Sequence, residues 1–177
     1  MNKKTSLILV ALLATVTVAC VTAVIALLVN RNNPPPPDIS PDYAPMDEEP
    51  NAETIPHNTD DKMEQPEGGG AVSLIYTAAA TVDLSEGKVS LLFGNPQKSN
   101  QDVVVQIVVK DQIILQSGRL TPGHRVTTLD LPKDAPLLGA GTYDEENCKF
   151  VVLYYDPVTG EKAILRTEIP ITVTVKE

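Results

Sequence analysis

The chain has 177 residues, a formal net charge of −9, two Cys, two His and no Trp. An excess of carboxylates repels nucleic acid and anionic lipid headgroups alike, which disfavours a nucleic-acid-binding role. Two Cys and two His, far apart in sequence, supply neither a disulfide framework nor the ligand spacing of structural zinc.

Thr5 to Val29 are 25 consecutive positions without a charged side chain. About 20 apolar residues in a helix span the hydrocarbon core of a bilayer, so residues 1–31 read as a transmembrane signal anchor. Lys3 and Lys4 precede the run and Arg31 alone follows it. The positive-inside rule then places the N-terminus in the cytoplasm and the C-terminal part outside. A cleaved signal peptide is the rival reading, although its apolar region is usually about 7–15 residues. Thr17-Val18-Ala19-Cys20 also resembles the lipobox of bacterial lipoproteins, in which the Cys is lipidated; Thr17 stands where Leu is usual.

Residues 32–70 hold nine prolines, including Pro34 to Pro37, and ten carboxylates against the single base Lys62. Such a segment has too few large apolar side chains to offset the entropy of ordering, so it reads as a disordered tether. At about 3.1 Å per residue its reach is on the order of 120 Å. Asp47-Glu48-Glu49 lacks the alternating ligands and Gly turn of an EF-hand loop and reads as a solvated charge run.

Residues 71–177 are of ordinary single-domain size and carry a β pattern throughout. Strands are expected at Val72–Tyr76, Thr81–Leu84, Lys88–Phe93, Val103–Val109, Gln112–Gln116, His124–Leu131, Lys149–Tyr155 and Ala163–Val175, all rich in Val, Ile, Thr and Tyr. Turn chemistry punctuates them at Ser85-Glu86-Gly87, at Thr121-Pro122-Gly123 and at Asp156 to Gly160. Lys110-Asp111 has the spacing of a two-residue hairpin but not the Gly that such a turn prefers. Pro170 implies that the last run is an edge, or breaks and changes sheets there. Alternation puts Val105, Ile107, Val109, Phe150, Val152 and Tyr154 on one buried face, with Lys149 turned away from it. Several short strands of this spacing read as an all-β sandwich of seven or eight strands.

Three stretches carry a family resemblance: Leu91 to Pro96, Val103 to Ile107, and Leu138-Gly139-Ala140-Gly141-Thr142-Tyr143 ahead of Phe150 to Leu153. The chain here resembles bacterial immunoglobulin-like or fibronectin type III-like surface modules. The resemblance implies a sandwich fold, an envelope setting and a Tyr packed at a corner; it implies no ligand.

No residue is assigned a catalytic, cofactor-binding or metal-binding role. Cys148 shares strand parity with Phe150 and reads as a core thiol, with an intermolecular disulfide as the alternative. His124 follows a Pro-Gly turn, and His57 falls in the tether. The expected function is therefore that of a non-enzymatic, membrane-anchored envelope protein whose sandwich makes protein–protein contact, in adhesion or as a minor subunit of a surface or secretion assembly. A glycan or cell-wall-polymer binding module is the alternative, and two Phe, five Tyr and no Trp lean away from it. An envelope lipoprotein is a third.

Overall fold

The computed structural model describes residues 41–57, 61–65, 67, 69–136 and 138–177. The apolar run 5–29 and Cys20 lie outside these residues. Among the described residues no helix is long and apolar enough to cross a membrane.

Among the described residues, ten strands form two sheets. They are β1 (Glu53–Thr54), β2 (Ile75–Asp83), β3 (Lys88–Asn95), β4 (Asp102–Val109), β5 (Gln112–Gln116), β6 (His124–Asp130), β7 (Gly141–Tyr143), β8 (Cys148–Tyr155), β9 (Lys162–Pro170) and β10 (Thr172–Lys176). One sheet runs β1-β6-β3-β2-β10-β7 and the other β5-β4-β8-β9. All pairs are antiparallel except β2 with β10. The expected strands at 72–76 and 81–84 are one element, β2, because a bulge between Tyr76 and Ala80 lets a single strand keep its pairing with β3. The expected last strand breaks at Pro170: β9 belongs to the four-stranded sheet, β10 to the six-stranded one. Pro170 has no N–H to continue the ladder, and Ile171 donates its own to the Cys148 carbonyl at 3.1 Å.

The inner faces of the two sheets meet in one apolar cluster. Val103, Val105, Ile107 and Val109 from β4 join Phe150 and Val152 from β8, facing Val89, Leu91 and Phe93 from β3 and Val126 from β6. Phe93 and Phe150 touch edge to face across the layers, with centroids 5.8 Å apart at 74°. Tyr154 packs at the margin of this cluster, so the expected parity holds for all six residues. Lys149 points the other way and pairs with Glu168 at 2.8 Å.

The outer face of the four-stranded sheet is not simply solvated. Val104, Val108, Val151, Leu153 and Tyr155 form a second buried cluster, packed by Ala44 and Ile113. β4 is consequently buried along its whole length.

Ala44 comes from the segment expected to be a disordered tether, and here the structure departs from the sequence reading. Residues 41–57 lie along the two sheets as a strap in the same compact unit. At one end the backbone meets the start of β9, with Lys162 N–H donating to Asp42 O (2.9 Å) and Ala44 N–H to Gly160 O (2.8 Å). In the middle, residues 47–49 run beside Arg119: Arg119 N–H donates to Asp47 O at 3.2 Å and Glu49 N–H to Arg119 O at 3.0 Å. At the other end β1 pairs with β6, placing Glu53 opposite Arg125 and Thr54 opposite His124. The carboxylates expected as a solvated run supply the fixation. Glu49 is buried, and its carboxylate accepts the Gly118 N–H at 2.7 Å and both Asn51 nitrogens at 3.1 Å. A Cβ on Gly118 would stand 2.8 Å from Glu49 Cα, so only glycine admits the strap this closely.

Candidate contact surface

Turn chemistry builds the tip of the β8–β9 hairpin. The Asp156 carboxylate accepts N–H bonds from Thr159 (2.9 Å) and Val158 (2.8 Å), and these hold its pKa below the usual carboxylate range. Gly160, at φ 73°, completes the reversal and donates to Asp156 O. Asp156 satisfies the backbone on the inside of the turn, which leaves Val158 standing out of it, 92 % exposed.

β9 is the edge of its sheet, and its pairing with β8 slips between Leu153 and Tyr155. The extra residues on β9 bulge outward, leaving Ile164 fully exposed and Leu165 at 78 %. The strap adds Tyr43, bridged to Glu161, and Met46, at 62 % and 93 % exposure. Five large apolar side chains thus stand in water on one hairpin and the strap residues beside it. Beneath them, Tyr155 is fully buried and donates its phenol O–H to Pro41 O at 3.1 Å. Burial, aided by the Asp42 charge, pushes this phenol up to about 12.

A cleft of ≈ 520 Å³ lies beside the hairpin turn, lined by Lys62, Asn100, Asp102, Arg119, Thr121 and Pro157 among others. Asp102 is 2 % exposed, and burial raises its pKa although Arg119 Nη1, 3.7 Å away, works in the opposite sense. The same guanidinium reaches Glu48 of the strap at 3.9 Å. Arg119 is therefore shared between a buried carboxylate of β4 and an exposed one of the strap. This arrangement can hold the strap.

Cys148 starts β8, at the far end of that strand from the hairpin tip. It is 2 % exposed, and burial pushes its thiol up, which suits a core thiol rather than a nucleophile. His124 is half-buried, its Nδ1 2.9 Å from Thr121 Oγ1, and it faces Thr54 of the strap. His57 ends the strap with φ 56°. Among the described residues no group of three His, Cys, Asp or Glu could hold a metal ion. Sequence reasoning did not single out Ile164, Leu165 or Met46: the first two sit in a strand-like run whose bulge is set by pairing with β8, and Met46 in a segment without strand pattern. No protein-family model matches the chain, and neither curated proteins nor solved structures give a significant match.

Proposed function

We propose that this is a non-enzymatic envelope protein, held in the membrane by its apolar run 5–29, whose immunoglobulin-like β-sandwich makes protein–protein contact through the β8–β9 hairpin. The strand order supports the fold reading. β2-β3-β6 against β4-β8-β9 is the A-B-E and C-F-G division of an immunoglobulin sandwich, with the fourth strand, β5, moved beside C. Tyr143 donates its phenol to Gly139 O, four residues upstream, at 2.9 Å, the kind of bond that a tyrosine corner makes.

The observation that carries the functional reading is the exposure of Val158, Ile164 and Leu165 on one edge hairpin. Isolated exposed apolar residues are ordinary, but a group on a sheet edge is a liability unless a partner covers it. A photo-crosslinking residue at Val158, activated in cells making the full-length protein, should give one discrete protein adduct that Leu165→Asp abolishes. Adducts to lipid or polysaccharide alone, or a protein adduct indifferent to Leu165→Asp, would contradict this reading.

A further inference from the structure

The strap is held in a way that suits exchange. Its only regular element is a two-residue strand, and its apolar contribution to the two clusters is Ala44 and Ala52. Its ion pairs, Asp42–Lys162 (3.8 Å), Glu48–Arg119 (3.9 Å) and Glu53–Arg125 (3.5 Å), all use carboxylates that are more than half exposed. Such pairs hold weakly, and segments with few buried contacts open most readily. Opening would uncover the edges of β6 and β9 together with Lys162, Arg119, Arg125 and the Gly118 N–H.

The chain after the strap is fixed independently of it. Met63 N–H donates to Lys98 O and Asn100 N–H to Ala71 O, each at 2.8 Å, and Ser73 N–H donates to Ser99 Oγ at 2.9 Å. Between these anchors and β1 sits His57, in the left-handed region at φ 56°. A residue with a Cβ adopts that conformation only against its preference. The strain therefore lies at the point where the strap is folded back onto its own domain, and strained hinge loops favour exchange between copies.

We propose that the strap exchanges between two copies of this chain, each laying residues 41–57 on the β6 and β9 edges of the other, with the hinge at His57. The occupant is a second copy because the acceptor edges match this segment at every point. Gly118 leaves room only for a close backbone, its N–H meets Glu49, and three basic residues meet three acids in register. Exchange remakes each of these contacts and relaxes His57. It closes on itself with two-fold symmetry. Closure within one chain wins when copies are dilute; exchange grows as copies crowd together.

The test uses the full chain in detergent, with Cys20→Ser and Cys148→Ala removing the native thiols. One population carries Thr54→Cys and another, differently tagged, carries His124→Cys; these positions face each other across β1 and β6. Mixed and oxidised at high concentration, they should form a covalent dimer carrying both tags. A partner with Glu146→Cys, an exposed turn residue, should not. His57→Gly should lower the dimer yield by roughly fivefold or more, the ratio that relieving one left-handed residue implies. The double variant Thr54→Cys/His124→Cys should close within one chain when dilute. If it does so while the mixture gives no adduct above the Glu146→Cys level, the strap is a fixed element and the proposal is wrong. If neither bond forms, the β1–β6 contact itself is absent and the proposal fails with it.

Discussion

Phe150→Ala tests the packing of the two sheets at its centre. Phe150 is fully buried, lies opposite Ile107 on β4 and Ile169 on β9, and meets the Phe93 ring edge to face. Removing a buried aromatic ring forfeits its transfer energy and leaves a cavity, a loss of about 3–5 kcal/mol. The edge-to-face contact accounts for roughly 0.5–1.5 kcal/mol of that. Total stability is typically about 5–15 kcal/mol for a domain, so the variant should be largely unfolded in urea concentrations that leave the parent intact. Lys149→Ala, one residue away, removes only a partly exposed pair with Glu168 and should cost at most about 1 kcal/mol. Equilibrium urea denaturation followed by tyrosine fluorescence measures both. Should Lys149→Ala prove the costlier change, β8 has the opposite face inward and the register described above is inverted.

Three further outcomes follow from single contacts. Asp111 occupies the β4–β5 turn at φ 61°, so Asp111→Gly should raise stability by about 1 kcal/mol in the same titration. Tyr155 is held neutral in the fold up to about 12, against 10.0 for a free phenol. Its folded pKa being the higher, its contribution, at most roughly 2.7 kcal/mol, is complete below pH 10 and lost as pH rises towards 12. Absorbance of ionised tyrosine against pH should therefore show one phenol titrating last, together with unfolding, and Tyr155→Phe should remove that step. Gly118→Ala places a methyl 2.8 Å from Glu49 Cα, and its nearest neighbours all belong to Glu48 and Glu49 of the strap. Limited proteolysis should then cut within residues 41–57 at least tenfold faster, about the effect of losing one or two hydrogen bonds, while the sheets stay resistant.

The sheets were readable because their signals are local. Val103 to Val109 and Lys149 to Tyr155 are short runs rich in Val, Ile and Tyr bounded by turn residues, and the missing N–H of Pro170 marked the change of sheet between β9 and β10. The turn at Lys110-Asp111 was placed correctly by spacing, and both residues take positive φ, as a two-residue hairpin demands even without glycine. The strap was not readable. Composition counts Glu48, Glu49 and Glu53 as repelling charges, whereas their partners Gly118, Arg119 and Arg125 lie about 70 residues along the chain. Without those partners the segment does have the composition of a disordered tether, so only tertiary pairing distinguishes the two outcomes. The contact surface was hidden for a related reason: Ile164 and Leu165 sit in a strand-like run, and their exposure follows from a register slip that pairing with β8 imposes.

The central claim is that the acidic, proline-rich segment is part of the fold. Amide hydrogen exchange of the full-length protein tests it most directly, read at Ala44, Glu49 and Ile55, whose N–H groups donate to Gly160, Arg119 and Gly123. The account predicts exchange slowed at least tenfold at all three relative to an unstructured peptide of the same sequence, and slowed less in Gly118→Ala, with the amides of β4 and β8 unchanged. Exchange at the unstructured rate at all three positions in the parent protein would contradict it.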